Sequence, residues 1–122
     1  MTRDELKKRT KEFALRAIKL VDALPKKPSG EVLGKQLLRS ATSVGANYRS
    51  ACRGRSEAEF VAKLGVVIEE ADESEYWMEL ISDGGLMKAS RVDPLRKEAS
   101  ELVAIFTAAV RTTRTKKTAS KR

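Results

Sequence analysis

The chain has 122 residues and a formal net charge of +8, with 41% apolar and 34% charged residues. This length fits one domain that can bury a core, and the composition predicts a helical protein and excludes a chain that is disordered throughout. Because Cys52 is the single cysteine, the N-terminus is charged and apolar runs are short, we expect a cytoplasmic protein without a disulfide, a signal segment or a membrane span.

Apolar residues recur with a period close to 3.6, which predicts helices. The first helix runs from about Asp4 to Leu24, with a buried stripe formed by Leu6, Phe13, Ala17, Leu20 and Leu24. The segment PKKPSG, residues 25–30, breaks it, and Ser29 is the expected cap of a second helix that ends near Arg53. The second buried stripe is expected to be Val32, Leu33, Leu37, Ala41, Val44 and Tyr48.

Ser56 and Glu59 form a capping box at the start of a third helix. Its predicted core stripe is Phe60, Leu64, Val67, Ala71, Ser74, Met78 and Ile81, and SDGG, residues 82–85, ends it. Asp93 and Pro94 suit the cap and first turn of a fourth helix that reaches about Arg111. The core stripe of this helix is expected to be Leu95, Leu102, Ile105, Phe106 and Ala109.

Four amphipathic helices with short links predict an all-α fold, an antiparallel up-down-up-down four-helix bundle over residues 1–110. The alternative is a three-helix fold with an extending arm, because the fourth helix is short and its approach, residues 86–92, is irregular. The last segment, RTTRTKKTASKR, has six bases, no acid and no large apolar residue. We therefore expect residues 111–122 to be a disordered basic tail.

The third helix carries a second stripe beside its core stripe, and this stripe mixes apolar and acidic residues: Val66, Glu70, Glu73, Trp77 and Leu80. A solvated face does not ordinarily carry such residues, so we expect it to pack on another helix or subunit. The second helix offers a polar stripe of Gln36, Ser40, Ser43 and Asn47, flanked by Arg39 and Arg49. We predict a polar seam between the two helices, within or between subunits; the alternative, a solvated surface with weak ion pairs, suits Glu69, Asp72 and Glu79.

The residues give no support to catalysis. Histidine is absent, so the chain has no His to activate a Ser or Cys nucleophile and no Glu-x-x-His pattern for a di-iron site. Glu70 and Glu73 would place two carboxylates together, but matching ligands on other helices are missing, as is a glycine-rich phosphate loop. We expect a protein that is not an enzyme, with no catalytic residue, no metal and no cofactor.

Residues 36–80 resemble the four-helix bundle family also called the 23S rRNA intervening-sequence protein or S23 family. The resemblance rests on RSATSV followed by Asn47, a basic turn, the S-x-x-E-F motif of residues 56–60 and an acidic segment with late aromatic residues. Many members continue the asparagine as N-I-A-E-G, whereas this chain has NYRSA, residues 47–51, which replaces a glutamate and makes the turn more positive. The acidic, aromatic ending resembles a variant branch of the family.

The resemblance implies an antiparallel four-helix bundle that assembles into a ring, a homopentamer, without a settled biochemical activity. Related proteins are similar to the accessory factor of diversity-generating retroelements, which works with a reverse transcriptase and RNA. In such a ring a neighbouring subunit would cover the second stripe of the third helix. The implied subunit-interface residues are Arg39, Asn47, Val66, Glu70, Glu73, Trp77 and Leu80.

The charge is unevenly distributed along the chain. Residues 56–83 hold nine acids and one base, a net charge of −8, so the rest of the chain carries +16. Clustered bases attract phosphate backbones through counterion release, and we expect binding to nucleic acid, to RNA more than to DNA, that depends on salt and reads no sequence. Besides the run Lys7 to Lys11, the candidate residues are Lys26, Lys27, Arg49, Arg53, Arg55, Arg111, Arg114, Lys116 and Lys117.

Three alternatives to nucleic-acid binding stay open. One is a solvated basic surface that binds nothing in particular, and another is an oligomeric scaffold that docks a protein partner. The third is an enzyme, which would need a cleft that holds carboxylates with perturbed pKa values. Tyr48 is the one attractive candidate for base stacking beside the bases, although a tyrosine at this position of the stripe is more often part of the core.

Overall fold

The computed structural model of the protein describes the backbone of residues 1–120 and the side chains of residues 1–116. The chain forms α1 (Arg3–Asp22), α2 (Pro28–Cys52), α3 (Glu57–Asp83) and α4 (Ala89–Ser120). Each helix packs against the next in chain order, and α4 closes onto α1. The predicted up-down-up-down four-helix bundle is confirmed, and the three-helix alternative is wrong.

The beginnings of α1 and α3 follow their capping residues. The Thr2 hydroxyl accepts a hydrogen bond from the Glu5 amide at 3.1 Å, and the Ser56 hydroxyl accepts one from the Glu59 amide at 3.1 Å. The Glu59 carboxylate reaches back to the Arg55 amide at 2.6 Å, so the capping box is confirmed with its return bond one residue earlier than in the usual motif. These bonds satisfy amides that the first turn of a helix leaves without partners.

Two helix starts differ from the prediction. α2 begins at Pro28, with Lys27 as its N-cap in place of Ser29, because the fixed backbone angle of proline suits a first turn. α4 begins at Ala89, and Pro94 therefore lies inside the helix and not in its first turn. Val92 is buried in the core, which favours helix before Asp93.

The end of α4 also differs from the prediction. The helix passes Arg111 and continues to Ser120, where a disordered tail was expected from residue 111. Two threonine hydroxyls bond to carbonyls of the preceding turn, Thr113 to Ala109 and Thr115 to Arg111, each at 2.9 Å. Thr113 and Arg114 also line a cleft with the first turns of α3, so this part of α4 stays on the bundle. Residues 121–122 of the predicted tail lie outside the described residues.

The core follows the predicted stripes with one clear error. All the predicted stripe residues of α1 are buried, and those of α3 are buried except the partly buried Phe60. The prediction that Val32 of α2 is buried is wrong, because its side chain is 59% exposed. Tyr48 is buried against Phe106, with ring centroids 5.0 Å apart, so it belongs to the core and is not a stacking surface for bases.

Candidate nucleic-acid interface

A basic groove of about 690 Å³ lies between α1 and α2, near the start of α1 and the end of α2. We call it the α1–α2 groove. Its cationic lining residues are Lys7, Lys8, Lys11, Arg49 and Arg53, and its uncharged ones are Thr10, Ala14, Thr42, Gly45 and Ala46. The described lining contains no acid, so a ligand in the groove meets cations and uncharged side chains only.

Helical spacing explains why these bases share the groove. Lys7 and Lys11 are four residues apart on α1, and Arg49 and Arg53 are four residues apart on α2, so each pair lies on one face with a rise of about 6 Å between its members. The two helices approach closely at Gly45, where an added Cβ atom would lie 3.2 Å from the Thr10 hydroxyl oxygen. The groove is thus set by the packing of α1 on α2.

The basic surface continues around the α2–α3 turn. Arg53 also lines a second cleft, of about 500 Å³, which it shares with Arg55 and Lys63. Val66 of the predicted subunit interface lies in the same cleft. Of the candidates named from the sequence, the structure therefore brings Arg49, Arg53 and Arg55 onto one continuous end of the bundle.

The other candidate bases lie at both ends of the bundle. Lys26 and Lys27 are exposed in the α1–α2 loop, separated from Arg53 by the length of α2, about 37 Å. Arg111, Arg114 and Lys116 are exposed near the end of α4. Arg114 lines a cleft with Glu57 and Ala62 of α3, and Ala62 also lines the cleft of Arg53 and Arg55, so these bases lie at the same end of the bundle. The side chain of Lys117 lies outside the described residues. The structure thus places Lys26 and Lys27 at one end of the bundle and the other described candidates at the opposite end.

The predicted polar seam between α2 and α3 is present within one subunit. The Arg39 guanidinium donates to Glu70 at 3.3 Å and to Glu73. The indole N–H of Trp77 donates to the same Glu73 carboxylate at 3.2 Å. Deeper in the bundle, the Ser74 hydroxyl donates to the Ser40 hydroxyl at 2.8 Å. Arg39 is therefore the base that faces the two glutamates of the second α3 stripe.

The remaining seam residues are satisfied differently. Ser43 and Asn47 donate to carbonyls of their own helix, at 2.8 Å and 2.9 Å, and not to α3. Arg49, the other predicted partner of the glutamates, lines the α1–α2 groove. Val66 is 37% exposed, while Trp77 and Leu80 are half-buried. Whether a second subunit covers these residues stays a prediction.

An ion pair that sequence reasoning missed joins α1 to α4. The Arg9 guanidinium donates to both carboxylate oxygens of Glu98, at 2.8 Å and 2.7 Å, and to Glu101 at 3.1 Å. The hydrogen bond from Arg9 lowers the pKa of Glu98, and the same bond raises the pKa of Arg9. No local pattern predicts this contact, because Arg9 and Glu98 are 89 positions apart.

Comparison with known proteins identifies the family. The profile of the 23S rRNA-intervening sequence protein family matches residues 3–108. The chain belongs to this family. A protein of unknown function from the S23 ribosomal protein family of Bacteroides thetaiotaomicron VPI-5482, known from a crystal structure, shares 32% sequence identity with a TM-score of 0.84. That similarity covers 91% of this chain and 99% of the Bacteroides chain. No curated protein matches the sequence.

The family match includes the α1–α2 groove and stops short of the last bases of α4. All residues that line the groove lie between Lys7 and Arg53, inside the matched range. Arg111, Arg114 and Lys116 lie beyond that range.

In the described residues, no helix combines the length and apolar character needed to cross a membrane.

Proposed function

We propose that this member of the 23S rRNA-intervening sequence protein family binds nucleic acid, RNA in preference to DNA, and catalyses no reaction. The observation that carries the proposal is the α1–α2 groove, where five bases from two helices converge around one concave surface. The charge of α3 is opposite to that of the groove, because this helix contains the nine acids and the single base of residues 56–83. A polyanion is therefore attracted to one side of the bundle.

Binding of this kind depends on the phosphate backbone. Each base that neutralises a phosphate releases a condensed counterion, and the logarithm of the binding constant falls by about 0.7 to 0.9 per contact for each tenfold increase in salt. If all five groove bases make contacts, the slope is about −4. The described groove lining has no aromatic residue on which a base could stack, so we expect phosphate contacts, which read no sequence, to dominate the binding.

We further propose that the protein works as a homo-oligomer, a pentamer by its family resemblance. Exposed apolar side chains on α3 support this: Val66 is 37% exposed and Tyr76 is 52% exposed. A ring would repeat the groove in every subunit, and several weak sites on one particle raise the overall affinity for a long strand.

The test is charge reversal in the groove with a matched control. R49E/R53E reverses two groove bases, whereas K35E/K97E makes the same change in net charge at exposed positions of α2 and α4 outside the groove lining. Both variants and the wild type are titrated with a structured RNA and a matched duplex DNA across a salt series, and particle mass is recorded in parallel.

We expect R49E/R53E to weaken RNA binding about a hundredfold and to flatten the salt dependence, because two contacts become repulsions. K35E/K97E should stay within about fivefold of the wild type, since distant charges are screened. Equal losses in both variants would mean that only the overall charge matters, and the groove would not be the site.

The second candidate is a protein-interaction scaffold, which the exposed Tyr76 and Val66 among the α3 acids favour. The resemblance to retroelement accessory factors suggests a reverse transcriptase as one partner class. A scaffold would form an intact oligomer that does not bind RNA near physiological salt. Substitution of Tyr76 would then reduce partner binding, while R49E/R53E would not.

A further inference from the structure

We infer that the α1–α2 groove binds one single strand of nucleic acid, and that a duplex meets only its rim. The inference rests on the proposed function, which it narrows to a substrate class. It follows from two features of the groove: its size between two packed helices, and a lining that combines cations with small uncharged residues.

The groove is narrow and short. Packed helices have axes about 8 to 10 Å apart, so the depression between them is far narrower than a duplex. Along α1 the lining extends from Lys7 to Ala14, a rise of about 10 Å, and along α2 it extends from Thr42 to Arg53, about 16 Å. Its volume of about 690 Å³ is typical of pockets that enclose a small-molecule ligand, and it suits a few nucleotides of one strand.

The lining combines two chemistries. Lys7, Lys8, Arg49 and Arg53 lie toward the end formed by the start of α1 and the end of α2, Ala14 and Thr42 lie toward the middle of both helices, and Lys11 and Ala46 lie between them, beside the contact of Thr10 with Gly45. We call the small uncharged residues Ala14, Thr42 and Ala46 the floor. The Thr42 hydroxyl already donates to the Leu38 carbonyl at 2.7 Å, and Thr10 donates to the Leu6 carbonyl at 2.8 Å. The floor therefore has no hydroxyl proton left to read a base edge.

A single strand matches this arrangement because it carries both chemistries in an accessible form. Its phosphates can meet the lysines and arginines, while an unpaired base can bury part of its apolar face against the small side chains of the floor. A duplex keeps its base faces stacked inside and offers only phosphates and groove edges. It can contact the exposed cations Lys8 and Arg53 at the rim, but it cannot use the floor.

The test fills the floor without changing any charge. A14L/A46L places two larger side chains in the groove at one half-buried and one exposed position, so the core is not disturbed. The control A104L/A108L makes the same change at two exposed positions of α4. Each full-length protein is titrated with a uridine-only RNA strand and with a self-complementary RNA duplex of equal length, and thermal unfolding is followed by circular dichroism.

We expect the wild type to bind the strand more tightly than the duplex. A14L/A46L should weaken strand binding by about tenfold and leave duplex binding within about twofold, with an unchanged salt slope because all five bases remain. The control should match the wild type with both ligands. Tighter wild-type binding to the duplex, or strand binding that A14L/A46L does not change, would overturn the inference.

These failures differ from a failure of the proposed function. If R49E/R53E weakens binding to both the strand and the duplex while A14L/A46L has no effect, the groove binds phosphates but does not select single strands. If the wild type binds neither ligand, the proposed function and the inference both fail.

Discussion

Ion pairs join α2 to α3 and α1 to α4, and the two sets of pairs differ in how far their side chains are exposed to solvent. Between α2 and α3, the side chain of Arg39 is half-exposed, although its partner Glu70 is only 17% exposed, and the ion pairs cover a broad packed core. Between α1 and α4, where the helices meet over a smaller area, Arg9 and Glu98 are more buried, with side chains 25% and 14% exposed. The same chemistry therefore has a different energetic weight at each position, because burial strengthens a satisfied pair and raises the cost of breaking it.

The largest effect on stability is expected for Arg9→Ala. The substitution removes the guanidinium that donates two hydrogen bonds to the largely buried Glu98 carboxylate. Loss of a hydrogen bond to a charged group lowers the free energy of unfolding by about 1.5 to 3 kcal/mol. Urea unfolding should show a lower midpoint with an unchanged slope. A loss no greater than that of Arg39→Ala would contradict the comparison.

A smaller effect is expected for Ser74→Ala, about 1 kcal/mol, because the Ser74–Ser40 hydrogen bond is buried in the α2–α3 contact. The double variant S40A/S74A removes donor and acceptor together and should be nearly as stable as the wild type. The same urea series measures the coupling between the two serines. Additive losses would show that the bond does not contribute as a pair.

Arg39→Ala should cost less than about 1 kcal/mol, because Arg39 is half-exposed, its contact with the 17% exposed Glu70 is one hydrogen bond of 3.3 Å, and Glu73 keeps its hydrogen bond from Trp77. The loss should shrink further in high salt, whereas that of Arg9→Ala should persist. If Arg39→Ala lowered the free energy of unfolding more than Ser74→Ala does, the main polar interaction between α2 and α3 would be the ion pair at the surface and not the buried serine pair.

The smallest expected effect is a change in how the free energy of unfolding depends on pH when Glu98 is replaced. Because Arg9 lowers the pKa of Glu98, the pair contributes stability above the ordinary glutamate pKa of 4.5, and this contribution is lost as pH falls through the lowered pKa. Glu98→Gln should be less stable than the wild type at neutral pH, and the difference should narrow in acid. A constant difference from neutral pH to below that range would exclude Glu98 as the titrating group.

The sequence predicts three of the four helix positions well because their signals are local. Ser56 and Glu59 mark the start of α3, and spacings of three and four residues identify its core stripe. Asp93 and Pro94 also form a local signal for a helix start, but α4 begins earlier, at Ala89. Burial of Val92 in the core favours helix in the residues before Asp93. Val32 fits the apolar period of α2 and still faces solvent, since periodicity alone does not show where the neighbouring helix ends.

The candidate site is less accessible to sequence reasoning because it depends on how α1 and α2 align. Lys7, Lys11, Arg49 and Arg53 are visible as basic clusters, but nothing local shows that the two clusters face one groove. The close approach at Gly45 determines that alignment. The small residues near it, Ala14 and Ala46, are the one signal that suggests an open floor.

The single tryptophan has a position that is useful for spectroscopy. Trp77 lies half-buried near the end of α3, with its indole N–H bonded to Glu73 and its ring 5.3 Å from that of Tyr76, on a different helix pair from the α1–α2 groove. Its fluorescence should therefore shift when another protein or subunit covers the exposed side of α3, and stay constant when a nucleic acid occupies the groove. The native chain thus carries an intrinsic optical probe that separates these two kinds of association without a label.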